Sequence, residues 1–175
     1  IKTDMSNLRL IDDVSASSVS SISVTDVFSA DYDIYKIELL QDTAAGDSLT
    51  IRFISSSGTM ITASNYERAL LQVRVGSSSG IENRSQNVGQ MNIVFQGTRD
   101  FVSTFYIFNP FSTSSYTLAL AQSNGYYGGA GLQNLNTKAI GVLKQNTSCS
   151  GIYFAPSNGS FTDVSVRTYG LRVDS

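Results

Sequence analysis

The sequence predicts an all-β protein, an antiparallel, jelly-roll-like β-sandwich of about eight to ten strands. Apolar residues recur at every second position along most of the chain, which is the period of a half-buried strand. Turn-forming stretches rich in Gly, Ser, Asn and Asp interrupt these runs roughly every 8 to 15 residues. No long stretch shows the helical period of 3.6 residues.

The composition indicates a folded, weakly charged chain. Of its 175 residues, 61 are Ser, Thr, Asn or Gln, only 15% are charged, and the formal net charge is −2. A disordered chain would be poor in aromatic residues, whereas this chain has nine Tyr, nine Phe and 41% hydrophobic residues. Short uncharged polar side chains between β-branched and aromatic residues are typical of the exposed faces of antiparallel sheets.

The alternation predicts the strands in chain order. Residues 32–40 and 49–53 alternate cleanly and are separated by the turn-rich stretch 41–47, so they predict a β-hairpin. Residues 66–75 could form a short helix, but the two-residue repeat and the Gly/Ser stretch that follows favour a strand. The predicted strands cover residues 19–24, 32–40, 49–53, 66–75, 90–96, 101–108, 116–120, 138–144, 151–154 and 164–173.

The strand at 101–108 is apolar or aromatic at nearly every position, so it needs cover on both faces. If alternate residues face the core, Tyr106 and Phe108 point the other way. Either a loop covers them as a second core layer, or they lie at a subunit contact, since an obligate interface resembles a core cut in half. The sequence therefore predicts an oligomer interface at Tyr106, Phe108 and Phe111, with the second core layer as the alternative.

Residues 124–131 read as a glycine-rich tip that carries Asn124, Tyr126 and Tyr127. Amides can bind sugar hydroxyls, and tyrosine rings can stack on the C–H faces of a sugar. Tyrosine is also enriched at protein interfaces. These three residues are the predicted ligand-binding site, and the alternative is a plain hairpin connection in which glycines supply positive φ.

The chain reads as one domain, with residues 1–14 as an N-terminal arm or linker and residues 15–175 as a single β-sandwich. The arm has a few apolar positions without a clean period, so we expect it to pack on a neighbour. The first residue is Ile1 rather than Met, and we expect the sequence to be a processed product or a piece of a longer chain. No signal peptide and no membrane-length apolar run is visible.

The residue content excludes several kinds of chemistry. The sequence has no histidine, which excludes Ser-His-Asp and Cys-His nucleophile systems, and its one cysteine, Cys149, is expected to be a small, half-buried residue. Asp26, Asp31 and Asp33 lie close in sequence, but aspartate is ordinary at turns. We therefore predict no catalytic residue, no metal site, no cofactor and no enzymatic activity. The low charge predicts no nucleic-acid binding and no membrane insertion.

Three groups of residues together resemble a known family. They are residues 14–24 with 27–29 and 32–37, then Phe108-Asn109-Pro110 with residues 115–117, and then residues 151–154 with 159–161 and 165–171. The pattern is similar to that of small β-sandwich modules in virion structural proteins of tailed bacteriophages, from tail fibres, tail tips and capsid decorations. This resemblance covers the chain from about residue 14 to its end. It implies a jelly roll, commonly a homotrimer, on the external surface of the phage particle, and it transfers no functional residue.

The function expected from these observations is contact rather than catalysis. The leading hypothesis is an external module of a tail fibre or tail tip that binds a host-surface glycan or protein and also contacts other virion proteins. The first alternative is a capsid decoration or a head or tail architectural protein without a ligand. The second is a carbohydrate-binding module of a larger secreted protein, which predicts a monomer.

Overall fold

The computed structural model of the chain describes residues 7–44, 48–76, 80–95, 99–127 and 133–171. These ranges hold twelve strands, which confirms the predicted all-β sandwich with more strands than expected. None of the described ranges contains a helix with the length and hydropathy that a membrane crossing requires. The strands are β1 (Leu8–Val19), β2 (Ile22–Val24), β3 (Ile34–Thr43), β4 (Ser48–Ser55), β5 (Tyr66–Arg74), β6 (Ile81–Val88), β7 (Met91–Phe95), β8 (Arg99–Phe108), β9 (Thr117–Tyr127), β10 (Gln133–Leu143), β11 (Cys149–Pro156) and β12 (Phe161–Leu171).

Two antiparallel sheets form the sandwich. The large sheet has eight strands in the order β1-β12-β3-β8-β9-β10-β5-β6, and the small sheet has four in the order β2-β11-β4-β7. The first four strands alternate between the two sheets, so the chain crosses the sandwich repeatedly, as in a jelly roll.

The core lies between the two sheets, and the large sheet contributes to it every second residue of its central strands. Tyr35, Ile37 and Leu39 on β3 are fully buried, and their neighbours along the strand face the other way. Phe105 of the large sheet packs on Phe154 of the small sheet with ring centroids 5.6 Å apart. Because full burial of one such side chain contributes roughly 1.5–3 kcal/mol, this alternation holds the sheets together.

The predicted hairpin of residues 32–40 and 49–53 is wrong. β3 pairs with β12 and β8 in the large sheet, whereas β4 pairs with β11 and β7 in the small sheet. The connection between β3 and β4 therefore carries the chain from one sheet to the other. Alternation shows that each strand has one buried face, and here the two faces meet across the core instead of lying side by side.

The sequence predicted an N-terminal arm at residues 1–14, but the structure shows residues 8–14 in a strand of the large sheet. They belong to β1, which pairs with β12 from Leu8 opposite Leu171 to Val19 opposite Phe161. The expected boundary after residue 14 thus falls inside a strand. β1 is an edge strand with a bulge between Leu10 and Asp12, and the bulge breaks the two-residue period on which the sequence prediction relied.

Tyr66 fastens the two sheets to each other. It lies on β5 of the large sheet and is fully buried. Its hydroxyl accepts the backbone N–H of Phe53 on β4 at 3.0 Å and donates to the carbonyl oxygen of Ile61 at 3.1 Å. Burial raises the pKa of the Tyr66 phenol well above its usual value, so the group remains a neutral donor.

The large sheet also carries a row of polar side chains on its buried face. Gln72, Thr137, Ser123 and Ser103 lie directly opposite one another on β5, β10, β9 and β8, and each is only 1–3% exposed. Each of them has one side-chain polar atom with no hydrogen-bond partner in the described part of the chain. A buried polar atom without a partner costs about 1–3 kcal/mol, so this row weakens the core locally.

We expect Tyr66→Phe to lower the free energy of unfolding by about 1–3 kcal/mol, because the Phe53 N–H and the Ile61 carbonyl would remain buried without their partner. Urea unfolding followed by circular dichroism measures the change. Tyr116→Phe is the matched control, since Tyr116 is 49% exposed and its hydroxyl can be replaced by water. Equal stability of the two variants would show that the Tyr66 hydroxyl does not fasten the sheets.

In contrast to Tyr66→Phe, Thr137→Val should not lower the free energy of unfolding. Valine has the shape of threonine without the hydroxyl, so the free energy of unfolding should stay unchanged or rise by up to about 1 kcal/mol. Thr162→Val, at an exposed position of β12, controls for the general effect of the exchange on strand stability. A loss of more than about 1 kcal/mol specific to Thr137 would mean that its hydroxyl is hydrogen-bonded in solution.

Candidate functional site

The face of the large sheet that points away from the small sheet is open to solvent. On β9, for example, Leu118, Leu120, Gln122, Asn124 and Tyr126 are all exposed, and the residues between them are buried. We call this surface the outer face and define it as the outward-pointing residues of β3, β8, β9, β10 and β5. It is the candidate contact surface on the part of the chain that the structure describes.

The outer face is divided into two halves at the same level on three neighbouring strands. Tyr106, Leu120 and Ile140 lie opposite one another across β8, β9 and β10. One step further along each strand, the outward residues become polar and again lie in register. The apolar half comprises Tyr106, Phe108, Leu118, Leu120, Ile140 and Val142, and the polar half comprises Thr104, Gln122, Asn124, Asn134, Asn136 and Lys138. Exposed apolar residues flank the polar half on the neighbouring strands: Val102 on β8, and Leu71 and Val73 on β5.

The apolar half exposes large hydrophobic side chains to solvent. Ile140 is 57% exposed, Leu118 47%, Leu120 46% and Tyr106 39%. Phe108 and Val142 are half-buried beside them, and a shallow depression of about 580 Å³ runs across this half. Contiguous apolar patches of roughly 300–600 Å² are the largest that monomers usually show, and larger ones mark interaction sites.

The polar half borders a wider depression of about 1060 Å³, which is lined among others by Thr104, Gln122, Asn124 and Lys138. The amide nitrogen of Asn134 donates to the amide oxygen of Asn124 at 3.0 Å, which orients both side chains. This half therefore presents several oriented amides on two adjacent strands, with one ammonium group beside them.

Ion pairs lie on both flanks of the outer face. On one side Lys36 contacts Glu38 at 2.7 Å, and on the other Lys144 contacts Glu67 at 2.5 Å. The hydrogen bond to Glu38 raises the pKa of Lys36, so the ammonium group of Lys36 stays protonated over the whole physiological range. Because each flank carries both signs, the outer face has no strong net field.

The structure places the predicted interface residues as follows. Tyr106 and Phe108 both point outward from β8, as the alternation required, and they lie in the apolar half. Phe111 follows the strand in the connection after Asn109, which has a φ of 55°, so Phe111 lies outside the outer face and is 36% exposed. Tyr106 is open to solvent rather than covered by a second core layer.

The predicted ligand-binding residues are on a strand rather than on a loop. β9 continues through Asn124 and Tyr126 to Tyr127, so the expected tip begins later than residue 124. Asn124 and Tyr126 are exposed on the outer face, and Tyr126 is opposite Asn134. The side chain of Tyr127 and residues 128–131 lie outside the described residues.

Several residues of the outer face were not singled out from the sequence. They are Leu118, Leu120, Asn134, Asn136 and Ile140. Their signal is present in the outward positions of β9, which change from Leu to Gln and Asn along the strand. It becomes recognisable only when β8, β9 and β10 are aligned in their true register.

The acidic residues and the cysteine outside the outer face have the following surroundings. Within the described ranges, no three side chains of His, Cys, Asp or Glu are grouped so that they could hold a metal ion. Asp31 accepts a hydrogen bond from the Ser29 hydroxyl at 3.1 Å, which is ordinary turn chemistry. Cys149 is fully buried rather than half-buried, and desolvation raises the pKa of its thiol to about 12.

Comparisons with known proteins assign no family. No protein-family model and no curated protein matches the sequence. Among solved structures, the chain is similar to the sucrose-6-phosphate hydrolase from Lactobacillus gasseri, with 13% identity and a TM-score of 0.39. The alignment covers 93% of this chain and 28% of the hydrolase, so it spans a minor part of that enzyme.

We expect Cys149 in the folded protein to react with a thiol reagent only through unfolding, because the thiolate is the reactive form and burial holds the thiol pKa at about 12. At each pH the native chain should therefore react at a small fraction of the rate of the urea-unfolded chain, because Cys149 reacts as an ordinary thiol only while the chain is unfolded. A native rate close to that of the unfolded chain would contradict the burial of Cys149.

Proposed function

We propose that this chain is a non-catalytic structural module on the outside of a tailed-phage virion, and that it assembles with copies of itself through the apolar half of its outer face. One observation carries this proposal. The outward residues of β8, β9 and β10 form one continuous apolar area, and on β9 and β10 this area ends at the same register level, where the next outward residues are polar.

The size of the apolar half supports a protein partner. Its six large side chains are half-buried to about half-exposed. Together they present on the order of 400–500 Å², which lies in the range of the largest apolar patch of an ordinary monomer, and such patches are often functional. With part of the polar rim, this approaches the roughly 800 Å² per partner of a standard interface.

The charges favour a second copy as that partner. The formal net charge is only −2, so copies repel one another weakly. Both flanks of the outer face carry ion pairs of mixed sign, which removes any single-sign barrier to the approach of an identical surface. The resemblance to phage modules supports a homotrimer, because such modules are commonly trimeric.

The place of the module in the particle decides between two forms of the proposal. At a tail fibre or tail tip it would serve host adhesion, and on the capsid or at a joint it would be purely architectural. Gold-labelled antibodies against the chain distinguish these positions on intact particles. Unchanged adsorption of virions that lack the chain would exclude the adhesive form.

Leu120→Lys tests the assembly. Leu120 is 46% exposed at the centre of the apolar half, so lysine should cost the monomer little stability, while burial of its charge should weaken association at least tenfold. Analytical ultracentrifugation at high micromolar protein concentration measures the mass. The wild-type chain is expected to form a defined small oligomer, and the variant a monomer.

Leu10→Lys is the matched control for Leu120→Lys. Leu10 is 51% exposed and lies on β1, four strands and roughly 19 Å away from β9 in the same sheet. This variant should keep the wild-type mass. A monomeric wild-type chain would refute the assembly and support the carbohydrate-binding module instead, and equal masses for Leu120→Lys and the wild type would refute the role of the apolar half.

A further inference from the structure

We infer that the polar half of the outer face is a binding site for a neutral oligosaccharide. The proposal names a ligand class for the same face that we propose as the contact surface, and it rests on the proposed function only in assigning that face to contacts. Its own support comes from the amides, the apolar side chains beside them and the local charge.

The amides are arranged for recognition of hydroxyl groups. Asn124 and Asn136 lie directly opposite each other on β9 and β10, and Gln122 is the next outward residue on β9. A primary amide offers a donor and an acceptor in one plane, so it can bind two neighbouring hydroxyls of a sugar ring. Side chains held on strands of a sheet are also more precisely placed than side chains on a loop.

A hydrogen bond between two amides of the polar half orients them and still leaves a donor and an acceptor for a ligand. The Asn134 amide nitrogen donates to the Asn124 amide oxygen, at 3.0 Å. That bond leaves the Asn124 amide nitrogen as a donor and the Asn134 amide oxygen as an acceptor. Orientation of the two amides before binding reduces the entropy lost when a ligand is bound.

Apolar side chains border the amides on the same face. Val102 on β8 lies opposite Asn124 and is 48% exposed, and Tyr126 follows Asn124 along β9 at 43% exposure. Sugar rings have polar edges and apolar C–H faces, so they require both kinds of surface. A tyrosine ring combines an apolar body with a polar tip and suits this role.

The local charge gives an acidic ligand little advantage. Lys36, Lys138 and Glu82 line the depression of about 1060 Å³. Lys36 contacts Glu38 and Glu82 contacts Arg84, so these charges are paired. Lys138 is exposed, so water and salt screen its attraction for an anion, and the amides rather than the charges should select the ligand. The depression is wide and open, so it fits a short segment of a glycan chain, and we expect a Kd on the order of 0.1 to 1 mM per site.

The two halves of the outer face can act at the same time. Asn124 is four residues beyond Leu120 on β9, about 14 Å at roughly 3.4 Å per residue. Burial of the apolar half in an oligomer would cover the side of the depression formed by Tyr106, Leu120 and Ile140 and leave the amides at the rim of the interface. Several weak sites on one oligomer bind a surface carrying many glycans more strongly than any single site does.

The test uses an array of neutral oligosaccharides built from glucose, galactose, mannose, rhamnose and N-acetylhexosamines, with sialylated and sulfated chains for comparison. Isothermal titration then measures the affinity of the strongest neutral binder. We expect binding to neutral chains and a loss of at least tenfold in affinity for the double variant Asn124→Ala, Asn136→Ala. Asn158→Ala, which removes an exposed amide in the connection between β11 and β12, should stay within twofold of the wild type.

Each outcome decides the inference. Absence of binding to every neutral chain, a clear preference for the acidic chains, or full affinity in the double variant overturns it. Unchanged thermal unfolding of the double variant excludes loss of fold as the reason for a loss of binding. A Leu118→Lys variant separates the two proposals, because Leu118 is 47% exposed in the apolar half and does not line the depression of about 1060 Å³. It should lose the oligomer and keep the affinity per chain. A monomeric wild type that binds through Asn124 would refute only the assembly.

Discussion

The antiparallel register of β8, β9 and β10 is the constraint on which both faces of this protein depend. It brings Tyr106, Leu120 and Ile140 into one row on the outer face and keeps Phe105, Ala121 and Ala139 in a row on the buried face. A slip by a single residue would exchange the two faces. The core and the contact surface therefore have a common origin, and neither could be changed without the other.

The same register makes the polar half of the large sheet polar on both sides. Ser103, Ser123 and Thr137 are aligned in the buried row, and Gln122, Asn124 and Asn136 point outward beside them. At the other end of the molecule, Tyr66 ties the sheets together and the outer face is apolar. Stability is thus concentrated beneath the half that we propose for assembly, and hydrogen-bonding groups are concentrated where we propose a ligand.

The strands with one buried and one solvated face were predictable, and the exceptions have physical causes. β3 and β8 repeat every two residues because one side of each packs in the core. β1 and β6 are the two edges of the large sheet, where few neighbours demand apolar side chains, so their sequences are polar and were not recognised as strands. Tyr106 and Phe108 were identified as outward-facing because their strand is apolar on both faces, so the face that points away from the core must also be covered.

The sequence by itself determined the all-β class, the absence of histidine chemistry and the presence of aromatic residues that the chain does not need for its own core. Only the tertiary structure decided which strands are neighbours, since alternation reports burial and carries no information on pairing. For that reason β3 and β4 turned out to lie in different sheets, and Asn124 joined Asn134 and Asn136 on a strand. The division of the outer face into two halves arises from residues far apart in sequence, and it exists only once the strands are paired.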